Sequence, residues 1–123
     1  MATVLVVDDE NSVRRVLRKI LERGGLTVQE AGSAQEAFAF VDSGGAVDAV
    51  VSDVLMPEVS GLAFYDQLIA RAPQLAGRVI FLTGAARDPK VHNSIEARGV
   101  PLLSKVDDLV LVLDAVKLAL LKR

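Results

Sequence analysis

Cysteine and tryptophan are missing from this 123-residue chain, and histidine and tyrosine occur once each. Without cysteine there is no disulfide framework and no thiolate metal site. The four phenylalanines and Tyr65 are scattered, which suits core or boundary positions and is too little to stack nucleic-acid bases. His92 lies in a polar stretch and reads as a solvated residue. An excess of positive charge is also lacking. The net charge is -2 and the pI about 5.3, which argues against direct nucleic-acid binding. Arg14, Arg15, Arg18 and Lys19 read as the solvated face of a helix. No apolar run is long enough for membrane insertion, since the longest, near the C-terminus, is broken by Asp114 and Lys117. The opening stretch from Met1 to Val7 has no basic flank and runs straight into Asp8-Asp9-Glu10, unlike a signal peptide. A cytoplasmic domain is expected. Apolar residues make up 51% of the chain, enough for one core, and the expectation is one domain spanning 1–123.

The order of patterns is regular. Thr3-Val4-Leu5-Val6-Val7 is a short β-branched run, the signature of a strand covered on both faces. A helix follows, with Val13, Val16, Leu17, Ile20 and Leu21 as its apolar stripe and Gly24-Gly25 as its stop. Leu26 to Ala31 alternates, as an edge strand does. Ser33 to Glu36 is a capping box opening a second helix, with Ala37, Phe38 and Val41 inward. Ala49 to Ser52 is a buried strand that delivers Asp53. A third helix runs from about Gly61 to Arg71, burying Leu62, Tyr65, Leu68 and Ile69 in some combination. Val79 to Thr83 is a second central strand. Asp88-Pro89 signals a helix start, cap then N1 proline. Val100 to Ser104 is the last strand; Pro101 consigns it to an edge. Asp107 to Lys122 is the final helix.

Strict alternation of strand and helix predicts an α/β doubly wound fold with a five-stranded parallel sheet and helices on both faces. The order 2-1-3-4-5 puts the two edge-like strands at the edges.

In such a sheet all strands end on one side. That side collects Asp8, Asp9, Asp53, Thr83 and Lys105. Taken singly, each residue has an ordinary explanation: a helix-start acidic cluster, a turn cap, a strand-end hydroxyl, a solvated lysine. Four strand ends converging with complementary chemistry do not. Crowded carboxylates repel and raise one another's pKa, and a hard cation, Mg²⁺, relieves this. Asp53 then suits a nucleophile toward phosphorus, with Lys105 as a fixed positive charge and Thr83 as a hydrogen-bond donor. The backbone N–H groups after Asp53 and Thr83 are further candidate donors.

The set resembles the receiver domain of two-component response regulators over the whole chain. The resemblance rests on VLVVDDE, SDVLMPEVSG and VIFLTG, with Lys105 after the fifth strand. It implies the same strand order and a phosphoacceptor switch, not an enzyme acting on other substrates. It implies Asp53 as acceptor from a histidine kinase or phosphotransfer protein. It implies Mg²⁺ held by Asp9 and Asp53 directly, by Asp8 through water, and by the Leu55 carbonyl. A downstream protein target on the 84–123 face is expected, with a homodimer as a candidate. On the last helix, Leu109, Val112, Val116 and Ala119 form a packing stripe, while Leu111, Leu118 and Leu121 fall partly outside it. The chain departs from the family at Leu102, where an aromatic ring is usual, and at Val106, where proline is usual. Leu102 is expected to stay packed. Leu55 and Ala85, bordering the path of a hydrolytic water, predict slow dephosphorylation.

Other readings fit less well. An Mg²⁺-dependent phosphohydrolase of similar fold carries a second Asp two residues beyond the nucleophile, where this chain has Leu55. A flavodoxin-type binder needs a phosphate loop where this chain has Asp8-Asp9-Glu10, which repels phosphate. A passive interaction module would have no use for the complete acidic set.

Overall fold

The computed structural model describes residues 2–54, 60–84, 100–105 and 109–121. Five strands, β1 (Thr3–Val7), β2 (Thr27–Ala31), β3 (Ala49–Asp53), β4 (Val79–Thr83) and β5 (Leu102–Ser104), form one sheet. Its order is β2-β1-β3-β4-β5, and every pairing is parallel. Four α-helices lie within the described residues: α1 (Asn11–Arg23), α2 (Ala34–Asp42), α3 (Gly61–Arg71) and α4 (Val112–Leu120). The helix expected from Asp88 lies outside the described residues.

Alternation along the central strands sorts the core into two layers. Leu5, Val7, Val50, Val79 and Phe81 pack with Ala37 of α2 and Phe64 and Leu68 of α3. Val4, Val6, Ala49, Val51, Ile80 and Leu82 pack with Leu17 and Leu21 of α1 and Val112 and Val116 of α4. Asp53 continues the parity of Ala49 and Val51, and Asp8 that of Val4 and Val6. Both acids therefore fall on the α1/α4 side of the sheet.

Several local expectations change. Val16 is exposed, because it sits about 100° around the helix from the buried Leu17. In α3 Leu68 is fully buried as expected, and so is Phe64, which stacks on Phe38 at 5.3 Å between centroids; Leu62, Tyr65 and Ile69 are half-buried. Ser33 caps α2 by accepting from the Glu36 N–H, but the Glu36 carboxylate turns back to the Gly32 N–H and not to Ser33 itself. β5 is shorter than expected and begins after Pro101. Proline has no N–H for the ladder, yet its carbonyl accepts from Phe81 N at 2.9 Å. The C-terminal helix is preceded by a 3₁₀ turn, Leu109–Leu111.

Gly61 fixes how the chain returns after β3. Its N–H donates to the Val54 carbonyl at 2.8 Å. A Cβ there would meet the Val54 carbonyl oxygen at 2.7 Å and its Cα at 2.8 Å, both backbone atoms that cannot rotate away. Gly61→Ala is therefore expected to destabilise the fold by about 1–3 kcal/mol, the usual cost of overpacking. Urea unfolding measures it, and an unchanged midpoint would contradict the close approach.

Candidate functional site

The C-terminal ends of β1, β3 and β4, with the residue after β5, bring together the acids and the lysine. Asp53, the last residue of β3, is 4% exposed, and Asp8, just past β1, is 1% exposed. β1 and β3 are adjacent, with Val7 opposite Ser52, so the two acids emerge side by side. Lys105 follows β5. Its N–H donates to the Thr83 carbonyl at 3.1 Å, extending the β4–β5 ladder and aiming the side chain across β4 toward β3. The ammonium Nζ lies 2.8 Å from Asp53 Oδ2, 2.9 Å from Asp8 Oδ2 and 3.2 Å from Glu10 Oε1. Thr83 is fully buried at the end of β4.

One oxygen of Asp8 is well used: Oδ1 accepts from the Glu10 N–H at 2.9 Å. The other, Oδ2, is buried and has no hydrogen-bond partner among the described residues; its contact with Lys105 is an ion pair without hydrogen-bond geometry. Burial pushes the Asp8 carboxyl above its ordinary pKa, against the opposing pull of the Glu10 N–H and Lys105. Burial also works to lower the pKa of Lys105, but the hydrogen bond to Asp53 and the negative charges of Asp53 and Asp8 beside it outweigh this and hold the ammonium above the usual lysine range.

Asp8, Asp9, Glu10 and Asp53 each offer a carboxylate oxygen, and these lie within 4.8 Å of one another. Four carboxylates share this place with the Lys105 ammonium, which contacts three of them, Asp8, Glu10 and Asp53. The excess of negative charge and the orphaned Asp8 oxygen suit a hard divalent cation, and an all-oxygen donor set suits Mg²⁺.

The structure thus brings Asp8, Asp9, Asp53 and Lys105 to one place, with Thr83 at the neighbouring strand end. Leu55, Ala85, His92 and Val106 lie outside the described residues. The Val54 N–H is not available to a ligand: it donates to the Leu82 carbonyl at 3.0 Å, which continues the ladder one residue past Asp53. In the sequence Glu10 reads only as part of a helix-start cluster. Its place directly after Asp8-Asp9 was the available signal. Arg14 also changes role. It and Arg18 both pair with Glu30 of β2, Arg14 Nε at 3.1 Å and Arg18 Nε at 2.7 Å, and Arg14 donates to the Asp8 carbonyl. Arg14 thus braces the rim of the site, while Arg18, with Glu30 and Glu22, stays at the surface together with the exposed Arg15 and Lys19, as a solvated helix face does. Leu102 is half-buried against the core layer that holds Phe64. On the C-terminal segment Val110, Leu111, Leu118 and Leu121 are exposed, while Val112, Val116 and Ala119 are buried.

The sequence matches the response regulator receiver domain over residues 4–117. It is 42% identical over 93 residues to the sensor kinase CckA of Brucella abortus, covering 75% of this chain and 10% of that protein. It is 35% identical over 119 residues to the transcriptional regulatory protein FixJ of Azorhizobium caulinodans, covering 95% of this chain and 54% of that one. The chain therefore spans a tenth of one relative's length and about half of the other's. Among solved structures, a response regulator receiver domain protein from Clostridium thermocellum superposes with a TM-score of 0.80 at 29% identity, over 98% of this chain and 94% of that one. The receiver domain of the hybrid histidine kinase CckA gives 0.76 at 28%, over 97% and 99%. Among the described residues, no helix is long and apolar enough to cross a membrane.

Proposed function

The chain belongs to the response regulator receiver family, and on that premise we propose that residues 1–123 form one phosphoacceptor switch with Asp53 as the acceptor. The observation that carries this reading is the Asp53 carboxylate itself: nearly buried, at the mouth of a central strand, 2.8 Å from an ammonium and among three further carboxylates.

The donor is a phosphohistidine on a histidine kinase or phosphotransfer protein. A carboxylate oxygen of Asp53 attacks the phosphorus. The O–P bond forms as the P–N bond breaks, and the electron pair of that bond stays on the imidazole nitrogen, which takes a proton from water. Lys105 holds positive charge beside the transferring group, and the Thr83 hydroxyl donates to a phosphoryl oxygen. Magnesium, when bound, neutralises charge on the phosphoryl oxygens. Asp8, Asp9 and Asp53 would hold it, with the Leu55 carbonyl as the expected further ligand. Chemistry is confined to the chain's own phosphorylation and dephosphorylation, in the cytoplasm. The 84–123 face passes the signal to a protein partner, a second copy of the chain being one candidate; the exposed Leu111, Leu118 and Leu121 support it.

The test is a beryllium fluoride titration followed by NMR. Saturable, Mg²⁺-dependent binding centred on Asp53 is expected, and no binding at millimolar Mg²⁺ would sink the reading.

The metal has a separate signature. A cation that binds only the folded cluster stabilises it by about 2.7 kcal/mol at a hundredfold excess over its dissociation constant. Magnesium should therefore raise the unfolding midpoint. Asp9→Asn, an exposed change that leaves the core alone, should move that dependence to at least about tenfold higher Mg²⁺, given what even outer ligands contribute. Identical magnesium curves for the two proteins would remove Asp9 from the site.

A further inference from the structure

The Lys105 ammonium has three N–H bonds, and three carboxylates stand around it. It donates to Asp53 and Glu10 and forms an ion pair with Asp8. A phosphoryl oxygen that takes Lys105 as its partner competes with these carboxylates for the ammonium. The three are not equivalent. Asp8 is 1% exposed and tied through Oδ1 to the Glu10 N–H, so it cannot swing out. Asp53 is the acceptor in the reading above, and it remains in place as the phosphoryl group is added. Glu10 is different on every count. Its contact is the longest of the three, at 3.2 Å, and its side chain is 58% exposed, so water replaces the lysine at little cost.

We infer that Glu10 is a positioning residue: its carboxylate holds Lys105 in the resting arrangement and is the group that an entering phosphoryl oxygen displaces. The inference rests on the phosphoacceptor reading. Glu10 thereby sets how readily the site accepts a phosphoryl group, because its hold on Lys105 is lost on phosphorylation. No part of the local fold depends on this side chain. Glu10 occupies the N-cap position of α1 without any side-chain capping bond, and its backbone is in the extended region open to every residue. Substitutions at Glu10 therefore leave the helix start intact.

The experiment compares the wild type with Glu10→Gln and Glu10→Asp. Beryllium fluoride affinity is measured at saturating Mg²⁺, so that any change in metal affinity drops out. The ¹⁵N shift of the Lys105 ammonium is followed in the metal-free proteins. Loss of an exposed ion pair predicts that Glu10→Gln binds beryllium fluoride about twofold to fivefold more tightly. The Lys105 ammonium signal should shift in the metal-free variant. Glu10→Asp keeps the charge but is one methylene too short for the contact, so it should behave as Glu10→Gln. Unchanged or weaker binding by Glu10→Gln would overturn the inference, as would an unmoved Lys105 signal. A Glu10→Asp protein indistinguishable from wild type would also overturn it, since charge alone would then account for the effect. Failure of the wild type to bind beryllium fluoride would instead remove the phosphoacceptor reading, and this inference with it.

Discussion

Asp53→Asn is expected to reduce labelling by a small-molecule phosphodonor in Mg²⁺ to background. The carboxamide keeps the size and shape of the side chain but is neutral and a poor nucleophile toward phosphorus. The neighbouring acids do not substitute for it. Asp8 has one oxygen fixed by the Glu10 N–H and the other buried, and Asp9 and Glu10 stand at the exposed rim. Intact-mass measurement after incubation with the donor reads the outcome directly. Undiminished labelling of Asp53→Asn would move the acceptor elsewhere, and peptide mapping would then locate it.

Lys105→Met is expected to have two effects that separate by their response to metal. The first is kinetic. Removing one preorganised group that stabilises transition-state charge costs about 10²–10³ in rate, so phosphorylation should slow by about that factor even at saturating Mg²⁺. The second concerns stability. Asp8 and Asp53 are buried and share this ammonium as counter-ion at 2.9 and 2.8 Å. Breaking a buried pair by removing one partner costs up to about 3–5 kcal/mol. Here the wild-type ammonium is itself desolvated and the rim is open to water, so a loss of about 1–3 kcal/mol is the expectation, in the range for leaving buried charged groups unsatisfied. That loss should appear in a chelator and shrink when Mg²⁺ is added, because the cation takes over the neutralisation. Denaturation curves with and without Mg²⁺ measure it. Equal stability of the two proteins in the chelator would mean that Lys105 is not the counter-ion of the buried acids.

Much of this molecule was legible in one dimension. β1, β3 and β4 are five-residue stretches, apolar apart from Thr3 at the start of β1, Ser52 and Asp53 in β3 and Thr83 at the end of β4. A strand buried on both faces needs no alternation of apolar with polar residues to announce it. The acids were legible for a related reason. A parallel sheet places all its strand ends on one side, so the residues after each apolar run had to be neighbours once the strand order was set. Pro101 marked β5 as an edge, and the three-residue strand agrees.

Other features depend on side-chain reach and on which neighbour arrives first, and neither is written in a local pattern. Phe64 outcompetes Tyr65 for the core because Phe38 of α2 lies opposite it, 5.3 Å away between ring centroids. Arg14 and Arg18 sit at positions that any solvated helix face would show, yet Glu30, on a different element, captures both. The Val54 N–H was a candidate donor until β4 supplied the Leu82 carbonyl. Glu10 is the sharpest case. In the sequence it is the third acid of a helix-start cluster, 95 residues from Lys105. Only the folding of β5 beside β4 brings that lysine across the mouth of the sheet and within 3.2 Å of Glu10. The apolar and acidic patterns determine which side of the sheet carries the chemistry, because burial and strand direction act on every residue alike. Which acid holds the lysine, and which can release it, is a matter of distances and exposure between segments remote in sequence, and these exist only once the chain has packed.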